Sequence, residues 1–152
     1  TGKPMKIFIT SILLLFGLPA SLQAQSDAEV EAAAVFEQFL DAMTNTDMEV
    51  VTSLFSEDAL FWGTGSQSLV TDPAGVALYF EPVGRNPPGQ TIARARDYES
   101  VEIGNNLVAI SGMWEVVPSG QSEGTPLRVS MVLALRNGAW KIIQFHNSAV
   151  PQ

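Results

Sequence analysis

The C-terminal segment "WKIIQFHNSAVPQ" holds the side chains best suited to chemistry. It contains His146, the only histidine of the 152 residues, followed by Asn147 and Ser148. An imidazole can act as a general base or, when protonated, bind a charged ligand. It can equally lie at the edge of a core with its nitrogens bonded to the backbone or to Ser148. The choice depends on whether the remaining residues supply a pocket around it.

Other polar and aromatic side chains are candidates to bind a ligand together with this histidine. The candidate ligand-binding set is His146, Ser148, Tyr79, Arg128, Arg96, Arg94, Asn147 and Trp62. We expect Tyr79 at the mouth of the pocket and at least one of Arg94, Arg96 and Arg128 inside it. Each of these residues also has an interpretation without a ligand. Tyr79 could pack between helix and sheet, Trp62 could lie in the core or at an interface, and Arg94 and Arg96 could lie on a solvated strand face.

Metal sites, disulfides and cofactors are not expected. One histidine and no cysteine leave carboxylates as the remaining metal ligands, and no ligand spacing is visible. The segment Gly63-Thr64-Gly65 is too short for a phosphate-binding loop and lacks the following helix, so we assign it no role. The candidate site therefore depends on imidazole, guanidinium and hydroxyl groups.

Three helices and a short strand are predicted ahead of the long strands. The helices cover residues 27–43, 48–55 and 73–81, and the short strand covers residues 59–62. Ser26 and Glu29 have the capping-box spacing that begins the first helix. Asp72 caps the third helix, with proline at its first position, and Pro82 is expected to end it.

Four long strands are predicted after these helices, over residues 91–103, 107–117, 126–136 and 139–148. Asn137-Gly138 between the last two is typical of a type I′ hairpin turn, because both residues accept positive φ. Helices followed by antiparallel strands indicate an α+β domain. We expect a cone: a curved antiparallel sheet with three N-terminal helices packed on one face. Its floor is a natural ligand site.

The two-residue Asn137-Gly138 loop also predicts the register of the last hairpin. Paired residue numbers sum to 275, so Val129 faces His146 and Arg128 faces Asn147. His146 then lies on a mostly apolar face, and Arg128 lies on the other. A single bulge between them would bring both to one face. The sequence leaves these two alternatives open.

The first 24 residues are predicted to be removed from the mature protein. Thr1 to Pro4 precede the first methionine and are interpreted as a cloning remnant. A basic region, an apolar run from Ile7 to Leu18 and a cut after Ala24 are typical of a secretory signal peptide. An uncleaved anchor is the alternative, although the run is short for a membrane span. We therefore expect one domain over residues 25–152, in a periplasmic or secreted location.

The charge balance limits the partners. Removing the two leader lysines changes the net charge from −8 to −10. Nucleic acid and anionic membrane surfaces are not expected as partners, since both require a positive surface. The expected partners are a small-molecule ligand and further copies of the chain, at least a dimer. Self-association is expected because the outer face of such a sheet exposes apolar residues.

Two segments resemble a known family. Leu78-Tyr79-Phe80-Glu81 is followed by Arg85-Asn86, and residues 136–148 read "RNGAWKIIQFHNS". Both resemble the association (hub) domain of calcium/calmodulin-dependent protein kinase II and its stand-alone bacterial relatives, within the nuclear transport factor 2-like and SnoaL-like superfamily. The resemblance implies a cone-shaped fold, a homo-oligomer, and a polar, often basic cavity able to hold a small acid.

The resemblance also shows a departure in the residues that would capture an acid. The arginine that follows Phe-His in the hub-like pattern falls on Asn147 here, and a second family arginine falls near Met131. Capture of a carboxylate would then depend on Arg94, Arg96 or Arg128.

Two functions from different classes follow. The first is an exported, oligomeric small-molecule-binding module with a cavity for a small polar or acidic organic ligand. The alternative is a SnoaL-like or ketosteroid-isomerase-like enzyme that transfers a proton or hydrolyses a small substrate, with His146 as base and Tyr79 or Arg128 as donor. Catalysis also needs a partner for the base, and Asp97 and Glu115 are the candidate carboxylates. We expect the binding function, since neither is placed convincingly on the cavity face.

Overall fold

A computed structural model describes residues 25–151, and the order of the elements agrees with the sequence-based prediction. The helices are α1 (Asp27–Asn45), α2 (Met48–Ser53) and α3 (Pro73–Gly84), and the strands are β1 (Phe55–Trp62), β2 (Thr91–Gly104), β3 (Leu107–Pro118), β4 (Thr125–Arg136) and β5 (Ala139–Ala149). The predicted signal peptide lies outside the described residues. Its cleavage and the domain boundary at residue 25 remain predictions.

The beginnings of α1 and α3 confirm the capping predictions made for them, whereas the end of α3 differs from its prediction. The Ser26 hydroxyl accepts from the Glu29 amide at 3.2 Å, and the Glu29 carboxylate accepts from the Ser26 amide at 2.9 Å. Asp72 caps α3. The prediction that α3 ends before Pro82 is wrong, because the helix continues to Gly84. A proline this close to the C-terminus removes one donor from the last turn, and the helix accommodates it there.

The strands form one five-stranded sheet in the order β1-β5-β4-β3-β2. The meander from β2 to β5 is antiparallel, and β1 adds to β5 in parallel at the edge. The helices cover one face, where Phe39, Phe61, Phe80 and Phe145 form the centre of the core. We call this the inner face and the opposite one the outer face. The predicted α+β cone, with helices on one face of the sheet, is confirmed.

The last hairpin begins as predicted and then changes register. Asn137 and Gly138 have φ values of 53° and 81°, as a type I′ turn requires. The predicted pairing holds as far as Leu133 with Ile142. At Ile143 the register shifts by one residue, which is a β-bulge.

The bulge follows from the burial of aromatic residues on both sides of it. Trp140 and Phe145 both belong to the core, although an unbroken strand would place them on opposite faces. One extra residue between them removes this conflict. Beyond the bulge, His146 pairs with Ser130 and shares the outer face with Arg128. The predicted position of His146 on the apolar face is therefore wrong, and the alternative with a bulge is observed.

Candidate functional site

A partly open cavity of about 210 Å³, here called the inner cavity, lies between the helices and the inner face of the sheet. Its lining is mostly apolar and aromatic: Phe39, Met43, Thr64, Tyr79, Phe80, Val83, Trp114, Val116, Leu127, Phe145 and Asn147. A closed apolar cavity of roughly 150 Å³ accommodates benzene. The inner cavity is therefore large enough for one small ring with substituents.

A chain of hydrogen bonds crosses the wall of the inner cavity. The Asn147 amide oxygen accepts from the Trp114 indole N–H at 2.8 Å, and the amide nitrogen donates to the Thr64 hydroxyl at 2.8 Å. An indole nitrogen is a donor only, so Trp114 determines which way the amide points. A primary amide has two N–H donors and can accept two hydrogen bonds. Asn147 consequently retains one donor and one acceptor position for a ligand carbonyl or hydroxyl.

The loop after β1 holds Tyr79 and Thr64 against this cavity. The Gly65 amide donates to the Tyr79 hydroxyl over a long 3.5 Å distance. A Cβ atom on Gly63 would overlap the Tyr79 ring, so a glycine is required for this close approach. The segment that we assigned no role in the sequence is thus part of the cavity wall. The sequence feature that could have indicated this position is the pair of glycines on either side of a hydroxyl residue, directly after a strand.

Several predicted ligand-binding residues lie together on the outer face. His146, Arg128 and Ser148 line an open groove of about 460 Å³, here called the outer groove, whose lining is Ser111, Gly112, Met113, Arg128, Val129, Ser130, His146 and Ser148. Ser148 pairs directly with Arg128, and Trp62 on β1 pairs with His146. The structure thus brings these four residues together, on the outer face of the sheet and not in the cavity of the cone.

The prediction that one pocket holds all of the candidates is wrong. Tyr79 and Asn147 line the inner cavity, on the opposite face of the sheet from His146. Consecutive residues of a strand face opposite sides, and the bulge determines that Asn147 faces inward and His146 outward. In the described residues, no carboxylate forms an ion pair with the imidazole. A histidine base oriented by a carboxylate is therefore not assembled within this part of the chain.

Arg94 and Arg96 occupy a third location, beside Glu115. The Arg94 guanidinium donates to the Glu115 carboxylate at 2.7 Å and to the Ser122 carbonyl at 2.9 Å. Arg96 lies 3.8 Å from the other carboxylate oxygen. The hydrogen bond from Arg94 holds the pKa of Glu115 below its ordinary value. Arg94 is therefore already bonded to groups of its own chain. Neither Arg94 nor Arg96 lines the inner cavity.

Two features are absent from the part of the chain that the structure describes. No group of three or more histidine, aspartate or glutamate side chains is placed to hold a metal ion. No helix in residues 25–151 is long and apolar enough to cross a membrane.

Comparisons with solved structures show the same fold in other proteins. A calcium/calmodulin-dependent protein kinase II association domain from Xanthomonas campestris is 21% identical over 92% of this chain and 99% of its own, with a TM-score of 0.73. A nuclear transport factor 2-like protein from Pseudomonas putida is 16% identical over 82% and 88%, with a TM-score of 0.71. A ketosteroid isomerase-like protein from Erwinia carotovora atroseptica is 14% identical over 84% and 100%, with a TM-score of 0.68.

Comparison by sequence shows the family. No curated protein matches the chain. The family model described as the SnoaL-like domain matches residues 32–152, which includes every element from the middle of α1 onward. The predicted resemblance is confirmed at this level, and the chain belongs to the SnoaL-like domain family.

Proposed function

We propose that the protein is an exported small-molecule-binding module whose inner cavity holds a small, uncharged and mainly apolar organic molecule. The observation that carries this proposal is an apolar cavity whose lining includes the Asn147 amide, which has one donor and one acceptor position beyond its bonds to Trp114 and Thr64. Small-molecule sites are typically apolar pockets with a few polar groups that determine orientation. A ring that carries one carbonyl, amide or hydroxyl group satisfies both requirements.

The charge of the lining favours a neutral ligand over an acid. Among residues 25–151, no arginine, lysine or histidine lines the inner cavity. A carboxylate placed there would lose its hydration without gaining a cation, which is costly. The sequence analysis expected a polar or acidic ligand. Of these two classes, the lining favours an uncharged polar molecule. Asn147 supports this choice, because it occupies the position where the hub-like pattern has an arginine.

The enzymatic alternative has less support from the geometry. Proton transfer needs a base and a donor that converge on one substrate. His146 lies in the outer groove, whereas the proposed donor Tyr79 lines the inner cavity on the other side of the sheet. Arg128 does share the outer groove with His146, but no carboxylate within the described part of the chain forms an ion pair with that histidine. We therefore favour binding over catalysis.

Self-association is a second part of the proposal. The outer face exposes large apolar side chains: Leu60 is 46%, Trp62 39% and Val101 54% exposed. Contiguous exposed apolar surface commonly marks a protein interface. A homo-oligomer of at least two copies would cover it.

A matched pair of ligands tests the binding site. Benzamide and benzoate have nearly the same shape but differ in charge. Binding to residues 25–152 is followed at pH 7.5 by tryptophan fluorescence in a Trp62→Phe background, which removes the exposed indole. Of the two tryptophans that remain, Trp114 lines the inner cavity and Trp140 does not. Benzamide should bind more tightly than benzoate. Asn147→Leu should weaken benzamide binding by roughly 2- to 12-fold, the value of one hydrogen bond of about 0.5–1.5 kcal/mol. Tighter binding of benzoate would contradict the proposal.

Export is tested separately. Expressed with its leader in a Gram-negative host, the protein should appear in the periplasm with its N-terminus at or near Gln25. N-terminal sequencing of the periplasmic fraction measures this. A cytoplasmic product that keeps residues 5–24 would contradict export without affecting the proposed ligand.

A further inference from the structure

The mouth of the inner cavity can be located from the exposure of the residues that line it. Among residues 25–151, Thr64 is the one lining residue that is exposed to solvent, and the others are buried or half-buried. A residue that faces both the cavity and the solvent lies where the two meet. Tyr79, which is half-buried, adjoins it through the long contact with Gly65. The opening therefore lies between the loop after β1 and α3.

Thr64 lies at the tip of a tight turn. The Ser66 amide donates to the Gly63 carbonyl at 3.0 Å, and the Gly63 amide donates to the Ser66 hydroxyl at 3.0 Å. Thr64 and Gly65 are the two central residues of this turn, and both are exposed. The turn is closed by its own hydrogen bonds, so its tip can swing away from the cavity without breaking them.

The two ends of the loop are fixed to the sheet. The loop begins after Trp62, which pairs with β5. Farther along, Val70 and Phe61 exchange two backbone hydrogen bonds of 2.9 and 3.0 Å. Residues 64–69 between these anchors are exposed, apart from a half-buried Ser66. A segment with few buried contacts opens locally at a low free-energy cost, whereas its anchored ends stay in place.

Within residues 25–151, two hydrogen bonds join the tip of the turn to the cavity wall. One is the 2.8 Å bond from the Asn147 amide nitrogen to the Thr64 hydroxyl, and the other is the 3.5 Å contact between Gly65 and Tyr79. A separation of 3.5 Å lies beyond the usual range for a hydrogen bond from an amide, so the second contact is weak. The bond between Thr64 and Asn147 is consequently the main tie that holds the tip over the mouth.

We propose that the turn formed by residues 63–66 is the gate of the inner cavity, and that the hydrogen bond between Thr64 and Asn147 is its latch. This inference rests on the ligand-binding function proposed above and concerns how the ligand enters and leaves. When the latch opens, the Thr64 hydroxyl bonds to water. The N–H group that Asn147 gave to Thr64 then donates to the carbonyl of an incoming ligand, so no buried donor stays unpaired. Once the ligand has moved to the second N–H group of Asn147, the latch closes again.

Hydrogen exchange of two indole N–H groups tests the latch without a ligand. Trp114 donates to Asn147 in the cavity wall, so its N–H reaches water when the mouth opens. Trp140 donates to Glu31 and does not line the cavity, so it is an internal control. Thr64→Val removes the hydroxyl and keeps the branched shape. In NMR measurements on residues 25–152, it should accelerate the exchange of Trp114 roughly 2- to 12-fold, the range that corresponds to one hydrogen bond, and leave Trp140 unchanged.

Two further variants complete this test. Thr64→Ser keeps the hydroxyl and should exchange as the parent does. Thr71→Val makes the same substitution at an exposed residue of the same loop, outside the turn, and should leave both indole groups at the parent rate. Unchanged exchange of Trp114 in Thr64→Val overturns the latch. Equal acceleration of Trp114 and Trp140 also overturns it, because both groups then exchange through a loss of global stability.

Benzamide kinetics connect the gate to the ligand. Stopped-flow tryptophan fluorescence in the Trp62→Phe background measures association and dissociation. A gate has to open in both directions, so Thr64→Val should raise both rate constants roughly 2- to 12-fold. A rise in the dissociation rate alone would make Thr64 a ligand contact and overturn the gate. Faster exchange of Trp114 without any benzamide binding supports the latch and contradicts the proposed function, whereas benzamide binding with unchanged exchange does the reverse.

Discussion

Replacing Asn147 with leucine tests the hydrogen-bond chain that shapes the inner cavity. Leucine has the same branching and the same number of side-chain heavy atoms as asparagine, although its methyl groups are bulkier. Trp114 is only 3% exposed, and the substitution leaves its indole N–H without an acceptor. An unsatisfied buried donor costs about 1–3 kcal/mol. Thr64 is exposed and can bond to water instead. The expected loss in the free energy of unfolding is therefore about 1–3 kcal/mol.

Asn147→Asp is the matched control. An aspartate oxygen still accepts from Trp114, and the Thr64 hydroxyl can rotate to donate to the carboxylate. Burial in an apolar wall raises the pKa of the introduced carboxyl above its unfolded value of about 3.9. The neutral form is the one that the fold tolerates. This variant should thus approach the parent in stability at low pH and lose stability as pH rises through the raised pKa.

Urea denaturation followed by circular dichroism at pH 4.5 and pH 8 measures both effects. The leucine variant should lose a similar amount of unfolding free energy at both pH values, whereas the aspartate variant should lose more at pH 8 than at pH 4.5. A leucine variant as stable as the parent would refute the view that Asn147 satisfies a buried indole. An aspartate variant with no pH-dependent loss would show that position 147 is solvated.

Three further predictions concern the loop and the titrating groups. Gly63→Ala drives a methyl group into the Tyr79 ring and should cost about 1–3 kcal/mol. In Gly65→Ala, the added methyl group meets no atom of the described residues within 4 Å, so the free energy of unfolding should change by less than about 0.5 kcal/mol. Thermal melts measure both variants, and an equal loss of stability in the two would contradict the contact between Gly63 and Tyr79. Burial and a hydrogen bond to a glutamate raise the pKa of Tyr98 to about 12, so its contribution is complete below about pH 10 and is lost as pH rises toward 12. Tyr98→Phe should flatten the alkaline loss of stability in urea titrations over that window. The adjacent guanidinium lowers the pKa of Glu115, so its contribution is present above about pH 4.5 and is lost as pH falls through the lowered pKa. Glu115→Gln should reduce the loss of stability at low pH. A loss of stability at low pH equal to that of the parent would contradict a contribution from the ion pair of Glu115 with Arg94.

The elements could be predicted because their signals are local. The capping box needs only Ser26 and Glu29 within one turn, and α3 needs only Asp72 followed by a proline. The type I′ turn needs only Asn137 and Gly138. Each signal depends on residues that contact one another before any tertiary structure exists. The order of these elements is sufficient to indicate the α+β architecture.

The position of the histidine could not be predicted by the same means. A hairpin register counted from a turn assumes an unbroken strand. Two core aromatics, Trp140 and Phe145, lie an odd number of positions apart, and the inner face accepts both only if the strand bulges. That pattern was present in the sequence. Its consequence for His146 depended on which residues the helices bury, which is a tertiary contact.

The sequence also did not indicate that the loop after β1 lines the inner cavity, because this position depends on how the strands pair. β1 and β5 are far apart in the chain, and the sequence does not show that they pair. Their parallel register sets Trp62 beside His146. The residues that follow each of them in the chain are consequently neighbours, which brings Thr64 to Asn147.

The same parallel pairing bears on when the chain can fold. β1 joins the sheet through β5, the last of the described strands, so β1 has no partner in the sheet until β5 is available. Contacts between such distant segments slow folding, because a long loop must close before they contribute. A protein that crosses a membrane through a narrow channel has to remain unfolded until it has been threaded. For a chain exported as proposed, the late completion of the sheet would keep the precursor open during synthesis and allow the domain to close once its last strand emerges.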